Sequence, residues 1–303
     1  MLLSANNTPV FPISLGGAGI GSCDGNIFFQ GPVSVKQAVE TVLFALENGV
    51  NLLDTSPFYG NSEQKIGVAL QEFGARSSVI LSTKAGTHPI YKGYRADNIR
   101  HSIDSSLRAL RTDYLDVVHI HDPSAADFQS VMENDGMETL LRLKEEKVIL
   151  NIGLGVRDHD LHHRFISSGY ADVILPYLDY NVLCTTADGL LNTSFKKHVI
   201  VMLGSALCMG LLSGKDPAHT HIRHYPIGKD VSVERAMQMY QWCKKKNVNL
   251  MALNYKFILD HPAVDTIVIG ATSKEEVRES LNAYKEIIAP EITNSFRKNF
   301  GLS

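Results

Sequence analysis

Residues 51–60 of the chain read NLLDTSPFYG, and this stretch decides how the rest of the sequence is interpreted. A short apolar run at residues 50–53 stops at the carboxylate of Asp54, and Tyr59 follows five residues later. A short apolar run bounded by turn residues is typical of a buried parallel strand. We therefore expect a strand that ends in an acid, followed by a loop that presents a phenol.

Two later segments have the same form. The segment SVILSTK is an apolar run that ends in Lys84, and YLDVVHIHDP contains one that ends in His121. Each residue alone has an ordinary explanation, because an Asp after a strand is often a turn former, a Lys is usually solvated and a His is commonly structural. Three successive strands that end in ionisable side chains favour one shared site instead.

Strand-like and helix-like patterns alternate along the chain with short connections. We expect strands at residues 13–15, 50–53, 79–82, 115–120, 148–154, 173–175, 199–203 and 266–269. Eight strands alternating with helices, without an internal boundary, predict an α/β fold of one domain, residues 1–303, closed as a (β/α)8 TIM barrel. An open doubly wound sheet is disfavoured because GAGIG at residues 17–21 lacks the GxGxxG spacing. In a TIM barrel the active site lies at the carboxyl ends of the strands, where Asp54, Lys84 and His121 are expected.

Composition limits the class of protein. The 303 residues are 44% hydrophobic with a formal net charge of −3, which suits a large globular domain and gives no electrostatic case for nucleic acid or a membrane surface. No signal segment and no long apolar stretch is evident, so we expect a cytoplasmic protein. The cysteines Cys23, Cys184, Cys208 and Cys243 have no CxxC spacing and are expected to be free thiols.

The residues at the strand ends, together with the Tyr59 phenol, form a chemically reasonable site for proton transfer to or from the phenol oxygen. A Tyr hydroxyl has a reference pKa of about 10, and a nearby Lys ammonium favours the phenolate and is expected to lower that pKa. Asp54 would hold Lys84, and His121 would orient a substrate oxygen. Such a site can exchange a proton with an oxygen while a hydride moves on or off the carbon that bears it.

Five segments, in order, resemble the aldo-keto reductase superfamily: NLLDTSPFYGNSEQKIG, STK, LRTDYLDVVHIHDP, SALCMGLLSG and IGATSKEEVRESL. The resemblance covers essentially the whole chain and implies that Asp54, Tyr59, Lys84 and His121 form the catalytic tetrad. His119, two residues before His121, faces the same side one layer deeper and is expected to be a barrel-interior residue.

The resemblance also implies a nicotinamide cofactor bound without a Rossmann fold. The last helix would receive the adenosine phosphate end at its amino terminus, which suits an anionic group. The cofactor residues implied are Gly17, Asp54, Tyr177, Ser205, Leu207, Gly210, Gly270, Thr272, Ser273, Glu276, Glu279 and Ser280. The substrate residues implied are Phe58, Tyr59, His121 and Asp122, and further candidates for substrate contact are His88, Tyr91, Tyr94, His219, His221 and His224.

Several positions depart from the pattern of the family. Members that prefer NADP usually carry an Arg where this chain has Glu276, and a carboxylate there would repel a ribose 2′-phosphate, so we expect NAD, with NADP possible. Gly155 and Val156 replace a Ser-Asn pair that contacts the nicotinamide carboxamide. Gly204 stands where an aromatic ring often stacks on the nicotinamide, and Tyr177 replaces a common Gln.

Within the superfamily the motifs most resemble the branch of sugar 1-dehydrogenases that includes L-galactose dehydrogenase, L-fucose or D-threo-aldose dehydrogenase and a pyridoxal dehydrogenase. This resemblance implies that NAD takes a hydride from a cyclic hemiacetal carbon to give a lactone, with Tyr59 as general base. The alternatives are an NADPH-dependent aldehyde or ketone reductase, a nucleotide-binding regulatory subunit, and a lyase or isomerase that uses Lys84 as a Schiff base. We expect a monomer or homodimer that binds a small-molecule substrate and no metal ion.

Overall fold

The computed structural model describes residues 9–21, 32–220 and 232–302. Parallel strands close into a barrel in chain order, and the first strand pairs with both the second and the last. The strands are β1 (Ile13–Gly16), β2 (Leu52–Asp54), β3 (Ile80–Ala85), β4 (Leu115–His121), β5 (Ile149–Gly155), β6 (Val173–Leu175), β7 (Ile200–Gly204) and β8 (Thr266–Gly270). The predicted (β/α)8 TIM barrel is confirmed.

Helices connect the strands and pack around the outside of the barrel. They are α1 (Val35–Glu47), α2 (Ser62–Phe73), α3 (Ala96–Leu110), α4 (Ala125–Glu133), α5 (Asp135–Glu145), α6 (His159–Ser168), α7 (Asp188–Lys197), α8 (Val233–Lys246), α9 (Leu250–Leu259), α10 (Lys274–Lys285) and α11 (Pro290–Phe300). The sequence did not predict α4 or α11. α4 buries only two side chains, whereas α11 carries Ile292, Phe296 and Phe300 at helical spacing, a stripe that the sequence-based prediction missed.

The start of α1 joins the first helix to the last loop of the barrel. Ser34 caps α1 by accepting a hydrogen bond from the backbone N–H of Gln37, as its sequence pattern indicates. The Gln37 side chain does not return to the cap; it donates to the carbonyl oxygen of Thr272 at 2.9 Å. Since Thr272 lies between β8 and α10, this bond ties the α10 amino terminus to α1.

Alternation along the strands explains which side chains enter the barrel. Leu52, Ile80 and Val117 belong to a small apolar cluster contributed by the strands, separate from the larger core between the strands and the helices. Side chains two and four positions further along a strand face the same side. The inner face of β2 therefore ends in Asp54, that of β3 in Lys84, and that of β4 passes through His119 to His121.

Three further sequence expectations concern residues outside the site. Cys184, Cys208 and Cys243 are buried free thiols, whereas Cys23 lies outside the described residues. Among the helices of the described ranges, none is long and apolar enough to cross a membrane. The same ranges hold no cluster of three or more His, Cys, Asp or Glu side chains arranged to bind a metal ion.

Candidate active site

The carboxyl ends of β2 and β3 form a buried ion pair. Lys84 Nζ donates to Asp54 Oδ2 at 2.6 Å and to the carbonyl oxygen of Thr55 at 2.8 Å. Ser82 Oγ donates to the second carboxylate oxygen of Asp54 at 2.7 Å. Charge-assisted bonds of this kind are short and strong, so the ammonium group is fixed in place.

Tyr59 comes from the loop after β2 and lies over this pair. The Lys84 ammonium acts electrostatically on its hydroxyl, and Lys84 Nζ is 4.9 Å from the centroid of the phenol ring. The His121 ring stands perpendicular to the Tyr59 ring, with 5.8 Å between the two centroids. The fold therefore brings all four residues of the expected tetrad together.

Burial and charge set the protonation states of the pair. Burial raises the pKa of the Tyr59 phenol above its usual value; the Lys84 ammonium counteracts this and Asp54 adds to it. The expected lowering of the Tyr59 pKa was wrong in its net direction, because desolvation of the phenolate outweighs the attraction of Lys84. Burial alone would lower the pKa of Lys84, but Asp54 and Tyr59 together raise it, so the ammonium stays charged.

His121 is neutral and is held by two hydroxyl groups. Burial and the nearby Lys84 charge bring its pKa well below the usual value. Its Nδ1 lies 2.5 Å from Thr87 Oγ1 and 3.3 Å from Ser56 Oγ. Ser56 Oγ also accepts a hydrogen bond from the backbone N–H of Phe58 at 3.1 Å. If Thr87 donates to Nδ1, the imidazole proton is on Nε2 and is available to a substrate oxygen.

Replacing Thr87 with Val should lower kcat/KM by about tenfold, because the ring loses the hydroxyl that fixes its tautomer. Thr87→Ser keeps a hydroxyl and should stay close to the wild-type value. Nitrogen NMR of the His121 ring should report protonation at Nε2 in the wild type and in Thr87→Ser, and a mixture of tautomers in Thr87→Val. Equal kinetics and equal spectra for the two variants would contradict this positioning role.

The mouth of the barrel opens into a cleft of about 1820 Å³. On one side the cleft is lined by the reactive ends of β2, β3 and β4. On the other side Gly16, Gly155, Gly204 and Gly270, the last residues of β1, β5, β7 and β8, line it. Strand ends without side chains leave a surface against which a flat ring can lie, and the cleft exceeds the usual volume of a pocket for one small ligand.

Most of the residues expected at the cofactor line this cleft. Ten do so: Asp54, Tyr177, Ser205, Leu207, Gly210, Gly270, Thr272, Glu276, Glu279 and Ser280. Gly17 does not, because it packs against Thr55 and Ser62, and an added Cβ would lie 2.3 Å from Ser62 Oγ. Ser273 is also outside the lining; it caps α10 by accepting a hydrogen bond from the Glu276 N–H at 3.3 Å.

The end of the cleft next to α10 carries charges of both signs. Glu276 Oε2 accepts hydrogen bonds from the N–H and the hydroxyl of Thr272, at 2.7 and 3.0 Å. The nearby basic side chains of Lys274 and Arg278 contact residues of α1 instead and do not line the cleft. Lys215 does line it and pairs with a carboxylate of α10 at 3.0 Å. With the amino terminus of α10, this set fits a dinucleotide whose diphosphate needs positive charge and whose ribose needs acceptors.

The four residues expected at the substrate, Phe58, Tyr59, His121 and Asp122, all line the cleft. Phe58 stands at the rim with 60% of its surface exposed. Tyr94 donates its hydroxyl hydrogen to the backbone carbonyl oxygen of His121 at 2.6 Å, so it helps to hold the backbone at His121 in place. Thr87 and Ser56 could not be singled out by sequence pattern, because hydroxyl residues are common in loops.

The histidine candidates divide into three groups. His88 lines the cleft, but its Nδ1 accepts the backbone N–H groups of Ile90 and Tyr91, and its Nε2 is bonded to Ser105. His88 therefore holds a turn, and the Tyr91 ring packs against it at a tilt of 37°, with 4.8 Å between the centroids. His219 lines the cleft. The candidates at positions 221 and 224 lie outside the described residues.

His119 is the barrel-interior residue that strand alternation predicts. It is fully buried, and neither ring nitrogen has a hydrogen-bond partner in the described structure. Burial and the charge on Lys84 lower its pKa well below the usual value, so the ring is neutral. Gly153 on β5 makes room for it, since a Cβ there would lie 2.3 Å from Nδ1.

Comparison with known proteins agrees with this geometry. The sequence profile of the Aldo/keto reductase family matches residues 12–297. L-galactose dehydrogenase from Arabidopsis thaliana is 32% identical over 270 residues, which cover 87% of this chain and 82% of that protein. D-arabinose 1-dehydrogenase from Saccharomyces cerevisiae is 29% identical over 294 residues, covering 91% and 83%. The structure of an aldo-keto reductase from Bacillus halodurans in its holo form superimposes with a TM-score of 0.78 at 20% identity, covering 99% of this chain and 95% of that one.

Proposed function

The chain belongs to the aldo/keto reductase family, and we propose that it uses NAD to oxidise the hemiacetal carbon of a small cyclic substrate, an aldose or pyridoxal, to a lactone. The family and its dehydrogenase relatives make it an NAD(P)-dependent oxidoreductase acting on CH–OH groups. The observation that carries the proposal is the Tyr59 phenol ring over the buried Lys84 ammonium, facing a neutral His121 in the cleft.

Each of these residues has a distinct task in the proposed reaction. The nicotinamide, when bound, supplies the hydride acceptor. Tyr59 accepts the proton of the anomeric hydroxyl, and the Lys84 ammonium stabilises the phenolate before that transfer. Asp54 keeps Lys84 in position through the 2.6 Å bond. His121 donates from Nε2 to the substrate oxygen and orients it.

Two features support a sugar as substrate. Two similar proteins are named for the oxidation of sugars, L-galactose and D-arabinose. The substrate side of the cleft is also polar, since Thr87, Lys92 and Asp122 line it beside Phe58. A cleft that offers both hydrogen-bond donors and acceptors suits a polyhydroxylated ring.

Glu276 supports NAD as the cofactor. Changing Glu276 to Arg should raise the ratio of kcat/KM with NADP to that with NAD by about tenfold or more, because repulsion of the 2′-phosphate is replaced by attraction. Glu276→Gln keeps an oxygen for the two bonds from Thr272 and removes only the charge, so it should shift the ratio by a smaller factor. If the ratio stays unchanged in both variants, Glu276 serves only to hold Thr272 and gives no basis for assigning NAD.

An absorbance assay of the reduced-nicotinamide band tests the proposed function. The enzyme would be mixed with NAD or NADP and with L-galactose, L-fucose, D-arabinose or pyridoxal at mildly alkaline pH. A rise in absorbance with NAD and one of these compounds is the expected result and would identify the substrate. Absence of a rise, together with oxidation of NADPH by simple aldehydes, would replace the proposal with a carbonyl reductase.

One observation favours that second candidate, an NADPH-dependent aldehyde or ketone reductase. The raised pKa of Tyr59 keeps the phenol protonated near neutral pH, which is the form that can protonate a carbonyl oxygen during reduction. Oxidation of a hemiacetal and reduction of a carbonyl would use the same four residues. Only the assay with different cofactors and substrates therefore distinguishes the two functions.

A further inference from the structure

Asp122 places a carboxylate next to the position of the reacting oxygen. It directly follows His121 and lines the cleft, and its Oδ2 lies 3.5 Å from His121 Nε2. Its side chain is 44% exposed. Because Nε2 would contact the reacting oxygen, Asp122 lies within reach of the neighbouring part of the same substrate.

The carboxylate is held from several directions. The Tyr177 hydroxyl, from the segment after β6, donates to Asp122 Oδ1 at 3.1 Å. The backbone N–H of Asp122 donates to the carbonyl oxygen of Gly155, the last residue of β5, at 2.8 Å. Asp122 also has a φ of +43°, a left-handed conformation that is uncommon outside glycine. Such conformations persist where the surroundings fix them, and they cluster at functional sites.

No Lys or Arg of the described ranges lies within ion-pair distance of Asp122, although burial raises the pKa of Asp122 and the more distant Lys84 charge acts to lower it. The ion contacts of those ranges bring only His121 close to it, and His121 is neutral. An exposed carboxylate that no ammonium or guanidinium group contacts repels anions and binds hydroxyl hydrogens. Tyr177, which replaces the common Gln of the family, has a role in this arrangement. Its hydroxyl donates to Asp122 Oδ1, so Asp122 Oδ2, on the side of His121, remains available to a substrate hydroxyl.

We propose that Asp122 accepts a hydrogen bond from the hydroxyl on the carbon next to the reacting carbon, and so selects neutral polyhydroxy substrates over deoxy and acidic ones. The two oxygens of a vicinal diol then meet neighbouring groups, the reacting oxygen at His121 Nε2 and the second at Asp122 Oδ2. The inference rests on the proposed function in its use of Tyr59 and His121 to hold the reacting oxygen.

A cycle of two enzymes and two substrates tests this assignment. The kcat/KM values of the wild type and of Asp122→Asn would be measured with L-galactose and with 2-deoxy-L-galactose, or with the corresponding pair for whichever sugar is oxidised. The wild type should prefer the hydroxylated sugar by about 10- to 100-fold, and Asp122→Asn should lose most of this preference. Asn tolerates a left-handed φ as well as Asp does, so the variant is expected to fold.

Asp113→Asn is the matched control. Asp113 is exposed just before the amino end of β4, so this variant makes the same change of charge at the opposite end of the strand that leads to Asp122. It should retain the full wild-type preference for the hydroxylated sugar. Loss of the preference in this control would mean that net charge, and not a contact at Asp122, determines the selectivity.

Two other results would overturn the inference. If Asp122→Asn lowers kcat/KM equally for both sugars, the carboxylate acts through His121 and does not bind the neighbouring hydroxyl. If the KM for NAD rises while the preference between sugars stays, Asp122 holds the nicotinamide carboxamide.

A second substrate series separates failure of this inference from failure of the proposed function. Where no sugar is oxidised but aldehydes are reduced, the same cycle is run with glyceraldehyde, propanal and glyoxylate. Preference for glyceraldehyde over propanal, and discrimination against glyoxylate, should both weaken in Asp122→Asn if the inference holds. Absence of turnover with every sugar and aldehyde would overturn both proposals, because no reacting carbon would lie beside Asp122.

Discussion

Replacing Tyr59 with Phe should lower kcat by about 10²- to 10⁴-fold while the dissociation constant of the nicotinamide cofactor stays close to its wild-type value. The substitution removes one hydroxyl, the group whose pKa the Lys84 charge acts to lower, and keeps the ring that stands against His121. Without it no protein group takes the proton from the substrate oxygen. Steady-state kinetics gives the rate, and quenching of protein fluorescence on cofactor binding gives the affinity.

Tyr94→Phe is the control for this prediction. Tyr94 is a second phenol near the site, but its hydroxyl donates to the backbone carbonyl of His121. Its loss should change kcat by less than about tenfold, since one supporting hydrogen bond is removed. Near-normal turnover by Tyr59→Phe, or an equal loss in both variants, would show that Tyr59 is not the proton acceptor.

Replacing Lys84 with Met should affect both stability and catalysis. The change leaves the buried carboxylate of Asp54 without its cation, and breaking a buried pair on one side costs about 3–5 kcal/mol of unfolding free energy. It also removes the charge that counteracts the raised pKa of Tyr59, so oxidation at neutral pH should fall by at least about 100-fold. Denaturant unfolding and steady-state kinetics measure the two effects separately.

The double variant Asp54→Asn with Lys84→Met separates the structural role from the catalytic one. Removing both charges takes away the unpaired carboxylate, so much of the lost stability should return. Activity should not return, because Tyr59 still lacks the ammonium group. Recovery of activity in the double variant would mean that Lys84 serves only to neutralise Asp54.

The pH dependence of oxidation follows from the raised pKa of Tyr59. Proton acceptance needs the phenolate, and the phenolate fraction grows as the pH rises toward the phenol pKa, so oxidation should accelerate from neutral into alkaline pH. In Lys84→Met the pKa of Tyr59 loses its main lowering influence, and the rise should move to higher pH. Reduction of an aldehyde should show the opposite trend. A flat profile for oxidation would contradict Tyr59 as the titrating base.

Much of the fold could be read from the sequence because strands of a barrel carry a local signal. The apolar runs of β2, β3 and β4 are short, and each stops at an ionisable residue. Period-two alternation then places the side chains of Asp54, Lys84 and His121 on the inner face at one end of the barrel. These positions needed no knowledge of distant contacts.

The parts that the sequence did not predict depend on contacts between distant segments. The pKa of Tyr59 is set by how deeply the ring is buried, and a spacing of residues carries no measure of burial. Thr87 and Ser56 reach His121 from two different loops, 34 and 65 positions away along the chain. Gly17 was expected at the cofactor because glycine-rich loops often contact ligands, but the fold uses it for close packing against Thr55 and Ser62.

Closure of the barrel joins parts of the chain that are synthesised far apart in time. β1 pairs with β8, and Ser14 Oγ lies 2.5 Å from Thr266 Oγ1 across 252 positions of sequence. Translation proceeds from the amino terminus, so one edge of β1 has no neighbour until β8 has left the ribosome. Until then the strands can form only an open sheet with unpaired edges, the kind of surface that aggregates or engages chaperones. Productive folding in the cell is therefore linked to the completion of translation through β8.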